Sequence, residues 1–199
     1  MIELLGKLEE IFIQIEKEAK NYQQTESLLC PPGCGLCCES HEVQACVFEM
    51  MPAAIYLIQN YLDEKYYSLL ETKPIPEICI FFEPDKHLEG CCSLYSKRAV
   101  ICRLFGASRV RDKYGNPRLS VCKKIRQRDS LKIEEISKSQ DRILLSPDME
   151  FWHRTVLNLA PPEYSILMPI NQALKEALQV CCWEFPFSGP NGPDLPKAA

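Results

Sequence analysis

The chain has 199 residues, 46% of them hydrophobic and 25% charged, with a formal net charge of −4. That length suits one domain with a substantial core, and the composition excludes a disordered chain. The charge gives no overall attraction to nucleic acid, no apolar run approaches the ~18 residues of a membrane span, and the opening MIELLGKLEEIF carries acids where a signal peptide needs positive charge. A soluble, cytoplasmic protein with no membrane partner is expected.

In chain order, residues 2–24 predict an amphipathic helix, because Ile2, Leu5, Leu8, Phe12, Ile15, Ala19 and Tyr22 recur at three- and four-residue steps. Residues 30–38 read as a loop, rich in proline and glycine. Residues 42–48 suit a short strand. A helix is then predicted from Glu49 to about Glu71, with Pro52 in its first turn and Ala54, Ile55, Ile58, Tyr61, Leu62 and Leu69 as its buried stripe. Residues 78–106 alternate short apolar pieces with turn signals, and DKYGNP predicts a turn between two extended pieces. Residues 131–144 and 162–180 read as helices, the second with an apolar face of Tyr164, Ile166, Leu167, Ile170, Leu174 and Leu178. The segment 184–199 predicts a flexible tail rich in proline and glycine. The expected fold is mainly α: one domain over residues 1–183, with irregular metal-stapled loops in a cysteine-rich region, 30–125, flanked by helices 2–24 and 131–180.

Twelve cysteines demand an account, and four of them fall within CPPGCGLCC, residues 30–38. In a reducing compartment, clustered thiols more often bind metal or do redox chemistry than form disulfides. The even count keeps disulfides open, although the doublets Cys37–Cys38, Cys91–Cys92 and Cys181–Cys182 cannot easily bridge internally. The thiols of interest are Cys30, Cys34, Cys37, Cys38, Cys79, Cys92, Cys102 and Cys122. A Cys-x3-Cys-x2-Cys loop turns several sulfurs toward one point, and zinc or a cubane cluster each takes four such ligands. One or two sites would staple the loop to the middle of the chain. The spacing does not choose between zinc and iron. It also looks like the cluster loop of radical S-adenosylmethionine enzymes, but the repeating βα units of those enzymes are not evident here.

CPPGCGLCC followed by CCSLYSKRAVICRLFG resembles the YkgJ-type cysteine-cluster proteins, the zinc- or iron-chelating CxxCxxCC domains. The first loop matches at Cys30, Cys34, Gly35, Cys37 and Cys38. The distal segment matches at Cys92, Leu94, Tyr95, Arg98, Cys102, Arg103 and Phe105, with Cys79 before it and Cys122 after it. Ala99 stands where the family usually has proline, and Cys91 is an additional thiol beside Cys92. The resemblance covers roughly residues 30–125 and implies zinc or iron, or an iron–sulfur cluster, held by these eight cysteines. Flagellin lysine methylases share similar patterns, so a methylase-like activity is implied only by analogy. No glycine-rich nucleotide loop after a strand supports it.

Residues 97–128 hold eleven Lys and Arg against the single acid Asp112. Such a stripe could meet nucleic-acid phosphates or a protein partner, but it could equally offset clustered thiolates, as Arg98 and Arg103 beside Cys102 suggest. Cys46, Cys181 and Cys182 are expected as small buried hydrophobes, with Cys46 alternatively a ligand near the loop. His41 is expected in solvent, and Glu49 as a charge at a helix start. The readings carried forward are a metal-binding protein, an iron–sulfur redox or S-adenosylmethionine-dependent enzyme, and an adaptor using the basic stripe. A metal ion is the expected partner, a protein partner stays open, and nucleic acid is not favoured.

Overall fold

The computed structural model describes residues 1–30, 35–72, 78–84 and 90–184. Cys34, His87 and residues 185–199, which make up nearly all of the expected tail, lie outside the described residues. The fold is mainly α, with short two-stranded ladders. Helix α1 (Ile2–Thr25) buries Leu5, Leu8, Phe12, Ile15, Ala19 and Tyr22, the stripe its sequence spacing predicts, while Ile2 at its start stays exposed. Among the described residues, no helix is long and apolar enough to cross a membrane.

Strand β1 (Gln44–Cys46) runs directly into helix α2 (Val47–Gln59). Nearly every residue of α2 from Val47 to Leu57 is buried, which explains a sequence apolar on all sides. The expected single helix to Glu71 is broken. Tyr61 takes a positive φ of 56°, with Leu62 N–H donating to Leu57 O and Tyr61 N–H to Ile58 O. These two bonds form a Schellman stop, with tyrosine where glycine is usual. Helix α3 (Asp63–Thr72) then restarts with its phase shifted. Tyr61 and Leu69, expected inside, are therefore exposed, and Leu70 is buried instead. Because α2 begins at Val47, Pro52 lies beyond the first turn and leaves one helical bond unmade.

Strands β2 (Phe82–Glu83) and β3 (Cys91–Cys92) pair antiparallel, Phe82 opposite Cys92. A short helix, α4 (Val100–Leu104), precedes the hairpin of β4 (Ala107–Arg111) and β5 (Pro117–Val121), with DKYGNP as its turn and Gly115 at φ 85°. The helical stretch expected over 131–144 is three short pieces beginning earlier: α5 (Lys123–Arg128), α6 (Ser130–Ser137) and α7 (Gln140–Leu144). Helix α8 (Met149–Leu159) lies where no element was expected, although its signals are local. Asp148 is its N-cap and accepts from Phe151 N–H at 3.0 Å, and Trp152 and Val156 form its buried face. The expected helix from 162 starts later. Leu167–Pro169 is strand β6, paired with β1, and α9 (Ile170–Glu184) follows. Ile166 and Leu167 are consequently exposed, whereas Ile170, Leu174 and Leu178 are buried.

The main core gathers α1, α2, α4, α8 and α9, with α2 lying along α9 and α1 against α4 and α8. A second apolar cluster lies under the hairpin, where Leu119, Val121, Ile125, Ile133, Ile136 and Ile143 meet Tyr22 and Leu28. The thiol-rich segments lie beside α1 and line a cavity with it.

Candidate metal centre

Cys37 and Cys38 sit on a single 3-10 turn, Leu36–Glu39, closed by Cys38 N–H donating to Gly35 O at 2.7 Å. Gly35 is required there. A Cβ at that position would lie 2.8–2.9 Å from the backbone of Gly90 and Cys91. Gly90 itself has φ 71°, and its own Cβ would collide with the Phe82 ring. Two glycines from distant parts of the chain thus let two backbones touch. The contact brings the Cys37–Cys38 turn against β3, which carries Cys91 and Cys92.

Cys79 is held from another side. Asn171, buried at the start of α9, accepts from Ile80 N–H and donates to Ile78 O, both at 2.9 Å. This side-chain clamp fixes the backbone on both sides of Cys79. Phe82 N–H to Cys79 O then turns the chain into β2.

Cys102 arrives on α4, whose start is tied to α2 by Glu49. The Glu49 carboxylate accepts from Cys46 N–H at 2.8 Å and from Val100 N–H at 2.9 Å. Glu49 is fully enclosed, and burial pushes its carboxyl upward against the pull of those two donors and Arg103. Sequence reading assigned Glu49 only a helix-dipole role, because its second partner is 51 residues away. Ala99, the departure from the family's proline, has φ −62° after an extended Arg98, so it occupies a conformation proline would adopt.

The thiols of Cys37, Cys38, Cys92 and Cys102 are outside disulfides. Cys38 shares hydrogen bonds with both Cys37 and Cys92. Those bonds, with help from Arg98, bring Cys37 and Cys92 down to about 7 despite their burial. Cys38 is pushed up by the same two bonds and by its burial. Cys102 is raised by burial and by the nearby charges of Cys79 and Cys37, with Arg98 opposing. Cys37, Cys38, Cys79, Cys92 and Cys102 are therefore one electrostatic group, drawn from four segments of the chain.

Arg98 and Arg103 anchor the cationic side of this group. Arg98 donates to Cys102 O at 3.2 Å and Tyr95 O at 3.0 Å, and its guanidinium stacks 3.5 Å from the Tyr95 ring centre. Arg103 is buried over Phe12, pairs with Glu16 and donates to Arg98 O and Ser96 O. Other members of the basic stripe also meet carboxylates. Lys97 pairs with Glu9, Arg109 with Asp148, Arg111 with Glu150, Arg118 with Asp112 and Arg128 with Asp129.

A cavity of about 610 Å³ opens between this group and α1, lined by Cys37, Cys92 and Cys102 together with Cys30, Cys91 and Cys122. Cys122 is buried at the start of α5. Cys30 is exposed beside Leu29, whose carbonyl accepts from Arg128. Cys46 and Cys181 are buried as expected, but Cys182 is exposed, because it falls on the outer side of α9. His41 is exposed.

Among the described residues, no group of three or more His, Cys, Asp or Glu side chains could hold a metal ion as it stands. The donors nevertheless fit zinc or iron in kind: soft sulfurs, two of them eased toward thiolate, with a cation beside them.

A thiol-rich, mainly helical protein with this loop belongs to a definable class. Residues 29–140 match the sequence model of the CxxCxxCC family, described as a "putative zinc- or iron-chelating domain". The chain belongs to that family. No curated protein matches the chain, and no solved structure does.

Proposed function

We propose that the protein binds zinc or iron through Cys37, Cys38, Cys79, Cys92 and Cys102, with Cys30 and Cys122, which line the adjoining cavity, and Cys34, from the same sequence motif, as further thiol ligands. The observation that carries this reading is the hydrogen-bonded trio of Cys37, Cys38 and Cys92, with Cys79 and Cys102 in its field. Such a bound metal would replace the shared protons and tie the first cysteine loop to β3 and α4, adding its binding energy to folding. Arg98 offsets the accumulated thiolate charge, and Glu49, Asn171 and Gly35 position the segments that carry the thiols. The pairing of most stripe cations with acids supports their internal role over nucleic-acid binding. A thiolate metal site suits a cytoplasmic setting, where reducing conditions keep thiols available as ligands.

A second reading is an iron–sulfur cluster used in redox or S-adenosylmethionine-dependent chemistry. It is favoured by the cavity, since a purely structural thiolate site has no need of an adjoining chamber. Elemental analysis with a visible spectrum, on protein purified without air or added metal, separates the two. Stoichiometric zinc and no colour support the structural site. Iron with sulfide and visible absorption support the cluster. Absence of both metals, with thiols paired as disulfides, overturns both readings.

A further inference from the structure

Away from the thiols, α3 and α9 pack together and leave a groove between the start of α3 and the end of α9. It encloses about 250 Å³ and is lined by Asp63, Glu64, Tyr67, Leu178, Cys182 and Trp183. Its chemistry divides into two parts. The apolar part is Leu178 with the rings of Tyr67 and Trp183. Trp183 is 87% exposed, the greatest exposure of any large hydrophobic side chain among the described residues. The charged part is Asp63 and Glu64, neither of which has an ion-pair partner among the described residues. Their position in the first turn of α3 suits the helix dipole, but that alone does not explain why aromatic rings stand beside them.

One ring of the groove already meets a cation from outside it. Lys175 Nζ lies 5.3 Å from the centre of the Tyr67 ring, and it is tied away by Glu71 at 3.7 Å. The Tyr67 hydroxyl accepts from Gln179 at 2.7 Å, which holds the phenol in place. A long cationic side chain is the one natural side-chain chemistry that satisfies both halves. Its methylene stem covers Leu178 and Trp183 while its head group meets the carboxylates and ring faces.

We propose that this groove docks a partner protein through a lysine or arginine side chain presented on a basic segment. The inference stands apart from the metal centre, so neither depends on the other.

The test uses the full chain and fluorescence anisotropy with a fluorescein-labelled trilysine peptide, with triglutamate as the control. Trilysine is expected to bind saturably and triglutamate not at all, with binding lost near ~1 M salt, where the Debye length is ~3 Å. The double variant Asp63→Asn, Glu64→Gln should weaken binding about fivefold, the scale of two exposed charge contacts. Trp183→Ala should weaken it about threefold, the scale of an exposed cation–π contact. Glu10→Gln, an exposed acid on α1, should change nothing. The proposal is overturned if both groove variants bind like the parent, or if triglutamate binds equally. It is also overturned if trilysine binds only after residues 185–199 are removed, which would assign the groove to the chain's own end. A concentration-dependent dimer abolished by Trp183→Ala would assign it to a second copy and likewise overturn it.

Discussion

Replacing Glu49 with alanine tests whether one buried carboxylate joins the core to the thiol-bearing α4. Glu49 receives two backbone donors, from Cys46 and Val100, and both residues have no solvent exposure. Water therefore cannot take the place of the lost oxygens. Each orphaned buried donor costs about 1–3 kcal/mol, so Glu49→Ala should lose about 2–6 kcal/mol, a large part of the roughly 5–15 kcal/mol typical of a domain. Glu49→Gln retains one acceptor oxygen and should lose roughly half as much. Urea unfolding followed by circular dichroism gives the stability, and metal content after dialysis gives the consequence for the site. Because Val100 N–H belongs to the first turn of α4, metal retention should fall with stability, Ala below Gln below parent. A Glu49→Ala protein within about 0.5 kcal/mol of the parent, with its metal fully retained, would refute the reasoning.

The remaining expectations follow from other contacts. Gly35→Ala forces the first cysteine turn off Gly90 and Cys91, so it should lose metal and stability together, whereas Gly115→Ala in the hairpin turn should lose stability alone. Cys102→Ser should release metal and lower the melting temperature, while Cys182→Ser, exposed on α9, should do neither; the reverse pattern would refute the ligand assignment. Among the described residues the buried Tyr22 hydroxyl has no hydrogen-bond partner, so Tyr22→Phe should be neutral or stabilising by about 1 kcal/mol. Burial, reinforced by Glu26 and opposed by Arg142, raises the Tyr22 phenol to about 12. Below the ordinary value of 10 the phenol is neutral in both states, and from there to about 12 only the unfolded state ionises, so stability falls across that window and Tyr22→Phe should flatten the fall. Asp148 is raised by burial but lowered more by the Phe151 N–H and by Arg109, for a net decrease. Stability from Asp148 is therefore present above its ordinary value of 3.8 and lost as pH falls through the lowered one. An acid titration of Asp148→Asn should lack that loss.

Much of the site was legible one residue at a time. The clustering of Cys37 and Cys38, and the match of Cys92 and Cys102 to a family pattern, needed only spacing and composition. Local periodicity likewise placed α1, because its apolar stripe runs without interruption. Legibility failed where two local signals competed. Helix propensity carries smoothly through Asn60–Leu62, yet the chain stops there in a Schellman turn with a tyrosine at positive φ. The apolar run at 162–180 is helical only from Ile170, because Leu167–Pro169 finds hydrogen-bonding partners in β1. The α8 helix, by contrast, is signalled locally by the Asp148 cap and by an amphipathic face of Trp152 and Val156.

By itself, the sequence determined that this is a mainly helical, thiol-clustered protein of a zinc- or iron-chelating family, because periodicity and cysteine spacing are local properties of the chain. Only the tertiary structure decided which residues serve those thiols. Glu49 reaches Val100 across 51 residues, Asn171 holds the backbone around Cys79 from 91 residues away, and Gly35 is needed because Gly90 lies against it. Those roles arise from backbone groups that must find partners once buried, and the partner is chosen by packing rather than by proximity along the chain.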